Sequence, residues 1–216
     1  MTASQQTDIP HRFFARIWPA LNRMGDTHGA REHRRRMLEG LSGRVLELGP
    51  GDGANFAHYP GTVTEVVAVE PEPSLRKLAT RAAAGAPVAV RVVAGTADAL
   101  PVEDESVDAA VASLVLCSVP DQATALGELR RVLKPGGELR FYEHVVAEGS
   151  VLRGMQRLAQ ATFWPRLFGN CHPARDTGAA IIGAGFEVLE LDRFGFKAGA
   201  LEPAVPHILG RARRAA

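Results

Sequence analysis

Short apolar runs alternate with longer segments of mixed polarity along most of the chain. Five runs have the length and β-branched content of buried strands: "RVLEL" from Arg44, "EVVAVE" from Glu65, "VAVRVV" from Val88, "VDAAVASL" from Val107 and "ELRFYEHV" from Glu138. Between them lie helical patterns, "SLRKLATRAAA" from Ser74 and "DQATALGELRRVLKPGG" from Asp121. In the second, Leu126, Leu129, Val132 and Leu133 share one face, Asp121 suits an N-cap, and Pro135-Gly136-Gly137 ends the helix. Strand, helix and strand in repetition predict parallel strands joined by right-handed crossovers, hence a doubly wound, Rossmann-like α/β sheet.

Beyond Val146 the pattern changes. "VLRGMQRLAQATFWPRLF" is amphipathic, "DTGAAIIGAG" reads as a short helix ended by glycine, and "FEVLELDRF" and "PHILGRARR" read as two more strands with a turn-rich excursion between them. Lacking a full helix between them, these two should pair as an antiparallel hairpin at the edge of a seven-stranded, mostly parallel sheet. Residues 10–41, with Phe13, Phe14, Ile17, Trp18, Leu21 and Met24, predict a helical cap packed over the sheet or its ligand edge. The whole, 1–216, is expected to be one domain. Its parts are the helical cap (1–41), a cofactor-binding core (42–146), and acceptor-side helices with the edge hairpin (147–216).

Composition narrows the partners. With 216 residues there is enough chain for one well-buried core. Lys+Arg 25 against Asp+Glu 24 leaves a net charge of +1, so no global field draws in nucleic acid or an anionic membrane. The two cysteines, Cys117 and Cys171, are too few for a disulfide framework and lack the spacing of a local zinc motif, so no metal is expected and a reducing cytoplasm fits. No apolar stretch reaches the length of a membrane span, and the polar "MTASQQTDIPHRF" lacks the order of a signal peptide. Oligomeric state is not legible.

The candidate chemistry begins where the first strand stops. "ELGPGDGA" satisfies G-x-G-x-x-A through Gly49, Gly51 and Ala54, and Glu70 follows about 20 residues on, where an acid can hold ribose hydroxyls. These pieces suit a dinucleotide, and they equally suit S-adenosylmethionine, whose binding needs no helix N-terminus for a pyrophosphate. Glu47, an acid inside an apolar strand, reads as a buried brace for the loop rather than a ligand contact. Asp104 and its acidic neighbours read as a solvated turn.

Later segments separate the two cofactors by resemblance. "ELGPGDG", "VAVEP", "LPVEDESVDAAVASLVL" and "RVLKPGGEL" resemble, in order, the motifs of the class I S-adenosylmethionine-dependent methyltransferases over about half the chain. The resemblance implies that Gly49, Pro50 and Gly51 border the methionine part of the donor and that Glu70, beside Pro71, accepts from the ribose hydroxyls. It further implies that Thr96 and Ala97 reach the adenine, and that Ser113 and Leu114 offer backbone groups to the methionine. Relatives often carry an acid at the place of Thr96, so Asp98 is an alternative there. "ANFAHYPG", "LVLCSVPDQ", "FYEHV", "LFGNCHPARDT" and "PHILGRA" look like the thiol methyltransferases of the animal methyltransferase-like group. That implies S-methylation of a small, lipophilic thiol. Those relatives also carry an apolar membrane anchor, absent here, so stable membrane insertion does not transfer.

The methyl acceptor's side is less defined. His144, just past "FYE", and the Cys171-His172 pair are the candidate catalytic residues. His144 either assists deprotonation or holds a loop, and Cys171 is either reactive or a small buried residue. Cys117 reads as core. Phe13, Phe14, Trp18, Phe163 and Trp164 are candidates for an apolar substrate wall.

Overall fold

A computed structural model of the chain describes residues 8–9, 11–197 and 204–215. Most of the polar leader and part of the excursion before the last strand lie outside the described residues. Two helices, α1 (Arg12–Thr27) and α2 (Ala30–Leu38), precede β1 (Gly43–Leu48), β2 (Val63–Val69), α3 (Pro73–Ala83), β3 (Val90–Val93), β4 (Val107–Ser113), α4 (Gln122–Val132) and β5 (Leu133–His144). Then follow α5 (Ser150–Ala161), the single turn α6 (Trp164–Leu167), α7 (Thr177–Gly183), β6 (Phe186–Phe196) and β7 (Val205–Arg214).

The seven strands form one sheet in the order β3-β2-β1-β4-β5-β7-β6. The first five run parallel, and β7 lies antiparallel to both β5 and β6. The expected late hairpin is therefore present, with β6 at the edge and β7 seated beside β5.

Period-2 alternation builds two cores, one on each face. Along β1, Leu46 and Leu48 join Val67, Val69, Ala110 and Leu126 on one face, while Val45 joins Met37, Val66, Val111 and Tyr142 on the other. Truncating any of these fully buried leucines would cost about 2–5 kcal/mol. The helix ends follow the chain's own signals: Asp121 accepts from the Ala123 N–H at 3.0 Å, and Glu72, followed by Pro73, accepts from the Leu75 N–H at 2.7 Å.

Two expectations change in detail. The third strand is only four residues long, and β5 begins before the Pro-Gly-Gly turn, pairing Leu133 with Val107 ahead of a register shift. The amphipathic α5 does not bury its apolar stripe, since Val151, Met155 and Leu158 are exposed, as are Phe163 and Leu167 beyond it.

Candidate active site

Strands β1 and β4 are neighbours whose crossovers leave in opposite directions, which makes the space beyond their carboxyl ends the topological switch point. A cavity of 150 Å³ lies there. Its floor is formed by Gly49, Gly51, Glu70, Ala97 and Ser113 to Val115. Phe14 and Trp18 of α1, with Gly169 and Asn170, form its roof. Two larger concavities, of 530 and 940 Å³, lie elsewhere, one at the strands' amino ends and one between α4 and α7. Both are open and lined by charged side chains, so the smaller, more enclosed cavity at the switch point is the candidate site.

The loop after β1 needs glycine for two reasons. Gly49 and Gly51 have φ of 59° and 60°, and a Cβ there would lie 2.5 Å from Val115 Cγ2 and 2.6 Å from Trp18 Nε1 respectively. The backbone is thereby laid bare to the cavity. Behind the loop, Glu47 accepts from Asn55 Nδ2 at 2.8 Å and from the Tyr59 hydroxyl at 2.7 Å. Burial pushes its carboxyl up to about 7. Glu47 is thus the internal brace its place in the strand suggested.

Glu70 closes β2. Its carboxylate accepts from the Gly51 N–H at 3.0 Å and the Glu72 N–H at 2.9 Å. Burial raises its pKa to about 7, and those two N–H groups oppose the rise. Near neutral pH it is poised between an acceptor-only carboxylate and a carboxylic acid. Ser113 Oγ and Trp18 Nε1 are buried without hydrogen-bond partners, and both residues line the cavity. Such unpaired groups in a small cavity invite a polar ligand.

Most expected donor-site residues meet here, with exceptions. Gly49, Gly51, Glu70, Pro71, Ala97, Ser113 and Leu114 line the cavity. Pro50 is buried away from its wall. Thr96 is also off the wall, its carbonyl accepting from the Ala99 N–H at 3.3 Å in a tight turn, and Asp98 is exposed. Leu114 has a φ of 56° and donates its N–H to the Tyr142 carbonyl at 2.7 Å.

The aromatic residues expected to wall a substrate separate into two groups. Phe14 and Trp18, four residues apart on one face of α1, stack at 5.1 Å over the cavity. Phe13, next along the helix and so turned about 100° away, is 57% exposed. Trp164 stacks on Phe168 at 4.3 Å, off the wall. Helix α1 is fixed to the glycine loop by a bond of 2.7 Å from Asn22 Nδ2 to Asp52, and buried Arg34 of α2 bonds Asn22 in turn.

The second loop of the floor, after β4, is held from outside. Glu143 of β5 accepts from the backbone N–H groups of Val115, Leu116 and Cys117 at 2.9, 2.8 and 3.1 Å. Arg175 donates to the carbonyls of Leu116, Cys117, Val119 and Pro120. An acid on the N–H side and a guanidinium on the carbonyl side clamp the loop. Neither clamp was singled out from the sequence, although both sit in quoted motifs, "FYEHV" and "LFGNCHPARDT". An acid in an apolar strand, the same signal as Glu47, was the available cue for Glu143.

His144, Cys171 and His172 lie behind that loop, not on the cavity wall. Strand β7 covers the end of β5, pairing His144 with His207. Cys171 Sγ lies 3.6 Å from His144 Nδ1 and 3.7 Å from Cys117 Sγ. Contact with Cys117 and with His144 holds the Cys171 thiol well below its ordinary value, against the effect of burial, and the same contact holds Cys117 well above its own. His172 donates its backbone N–H to the Cys117 carbonyl at 2.8 Å, and its Nε2 lies 3.3 Å from Asn170 Oδ1.

A doubly wound sheet with an antiparallel β7, a bare glycine loop and an acid closing β2 is the architecture of an S-adenosylmethionine-dependent methyltransferase. The methyltransferase domain family matches residues 46–141. A thiol S-methyltransferase, TMT1B, of Rattus norvegicus is 38% identical over 183 residues, which cover 81% of this chain and 73% of that protein. TMT1A of Homo sapiens, also a thiol S-methyltransferase, is 36% identical over 178 residues, covering 80% and 72%. Among solved structures, a methyltransferase of Thermotoga maritima, titled as S-adenosylmethionine-dependent, superposes with a TM-score of 0.69 at 23% identity, over 94% of this chain and 98% of that one. That likeness shows the fold. The chain belongs to the S-adenosylmethionine-dependent methyltransferase family, and is an enzyme of that class.

Proposed function

We propose that the protein transfers the methyl group of S-adenosylmethionine to the sulfur of a small, largely apolar thiol in the cytoplasm. The observation that carries this reading is the extent of similarity to the two thiol S-methyltransferases. It spans about four fifths of the chain, and so on any placement runs past the 46–141 core into the segments after β5.

The cavity's residues fit the donor. Gly49 and Gly51 admit it closely, Glu70 offers its carboxylate to paired hydroxyls, and Ser113 Oγ supplies an unpaired polar atom. When bound, the donor supplies an electrophilic methyl on a sulfonium. The chain's own work is to seat the donor, orient the acceptor and exclude water. Phe14 and Trp18 supply the apolar cover. A thiol suits this site because it ionises near neutral pH and its thiolate is intrinsically nucleophilic, so a base on the cavity wall is not required. His144, Cys171 and His172 then act by positioning, through the two loops they support.

The test is a panel of thiols, amines and quinols incubated with methyl-labelled donor. Label is expected on thiol sulfur. Label confined to amine nitrogen, or to ring carbon as in a quinol methyltransferase, overturns the thiol reading.

A further inference from the structure

Cys117, His144 and Cys171 form a compact cluster whose ligand atoms all lie within 4.8 Å of one another. They come from three places: the loop after β4, the end of β5, and the segment after α6. The expectation of no metal rested on local spacing along the chain. A site assembled across 54 residues between its two sulfurs leaves no such trace.

The distances are informative. Around a tetrahedral zinc ion with bonds of about 2.3 Å to sulfur and about 2.05 Å to nitrogen, the sulfur–sulfur edge is about 3.8 Å and the sulfur–nitrogen edge about 3.6 Å. The cluster shows 3.7 Å between the sulfurs and 3.6 Å from Cys171 Sγ to His144 Nδ1. Two edges of the tetrahedron are already set, with only the Cys117–His144 edge left to adjust. Charge favours the same occupant. Two thiolates and a neutral imidazole around a divalent cation carry no net charge, which suits cysteines that are 1% and 5% exposed.

The surroundings resemble the support a metal site needs. The backbone of Cys117 is pinned by Glu143 and Arg175. The His144 ring packs edge-on against His207 at 4.3 Å, and His207 Nδ1 bonds the Val205 carbonyl at 2.8 Å. The Trp164 indole nitrogen is buried with no hydrogen-bond partner among the described residues.

We propose that Cys117, His144 and Cys171 bind a zinc ion as three protein ligands. Three ligands leave the fourth position to a water or an exogenous ligand, as in open rather than closed zinc sites. Binding releases the remaining thiol protons to solvent and changes no oxidation state. The ion ties the loop after β4 and the 169–172 segment, both of which reach the cavity, to the end of β5.

The test uses the full chain without an affinity tag, purified reduced and without chelator. Zinc is measured by elemental analysis and by competition with a chromophoric chelator, and cobalt substitution is read by absorption. One ion per chain is expected, with a thiolate-to-cobalt charge-transfer band in the near ultraviolet. Cys117→Ser and Cys171→Ser should lose that band's full intensity, and each of these and His144→Ala should weaken binding by at least about tenfold. Circular dichroism identifies any variant that fails to fold, in which case the wild-type cobalt spectrum decides alone. A reduced wild-type protein with no zinc and no cobalt band overturns the proposal. So does undiminished binding in folded Cys171→Ser, or a Cys117–Cys171 disulfide found in place of the metal. None of these measurements uses a methyl donor or acceptor, so their outcome stands apart from the thiol reading.

Discussion

The two loops that floor the cavity solve the same problem in different ways. Each follows a parallel strand at the switch point, and each rests on a buried acid whose pKa burial pushes up to about 7, Glu47 for the first and Glu143 for the second. Glu47 finds its partners 8 and 12 residues along the chain. Glu143 holds backbone 26 to 28 residues before it, and Arg175 reaches back 55 to 59 residues to the same loop. The first loop's brace is local, although Glu70 and Asn22 also bond it from farther along the chain. The second is shaped by the tertiary structure.

The sharpest break of this contrast is Glu143→Ala. It strands three backbone N–H groups at about 1–3 kcal/mol each, so urea unfolding should show a loss of about 3–5 kcal/mol. A loss no larger than that of a surface substitution would mean the clamp does not hold the loop. Next comes pH acting on both braces. A carboxyl whose folded pKa of about 7 exceeds its unfolded value of 4.5 gives stability that is complete below about 4.5 and lost as pH rises through about 7. Unfolding free energy should therefore fall across that window, and Glu47→Gln should remove roughly 1–3 kcal/mol of the fall.

On the first loop alone, Glu70→Gln should weaken S-adenosylmethionine binding about 10- to 100-fold by calorimetry and cost about 1–3 kcal/mol in stability, since one amide oxygen cannot serve both the Gly51 and the Glu72 N–H groups. Wild-type affinity should rise as Glu70 ionises through about pH 7. Gly51→Ala, forced to a φ of 60° and against Trp18, should cost about 1–2 kcal/mol in stability and at least about tenfold in donor affinity. Smallest of all, Phe13→Ser should change stability by less than about 0.5 kcal/mol and leave donor affinity alone, since Phe13 faces away from the cavity.

Legibility follows the same divide. The parallel strands, the glycine loop and the late hairpin could be read from the chain because each is encoded by neighbours a few residues apart. The antiparallel seat of β7 beside β5, which covers His144, depends on pairing across more than 60 residues, from His144 to His207. Thr96 lies off the cavity wall, with its carbonyl used in a local turn, which its place after β3 does not disclose. Phe13 and Phe14 were indistinguishable by composition, and only the rotation of α1 separates an exposed ring from a cavity wall. Arg175 carried no signal, because a guanidinium that serves four carbonyls has no pattern along the sequence.

Trp18 standing over Gly51 bears on access to the cavity. The cavity beneath it holds 150 Å³, whereas ligand pockets commonly measure about 300–1,000 Å³. Trp18 and Phe14 of α1 are the side chains whose displacement would enlarge it. The bond between Asn22 and Asp52 holds α1 to the glycine loop. Loosening that bond with Asn22→Ala is expected to speed exchange of a bound donor, read by stopped-flow tryptophan fluorescence; an unchanged exchange rate would mean that α1 does not gate the cavity.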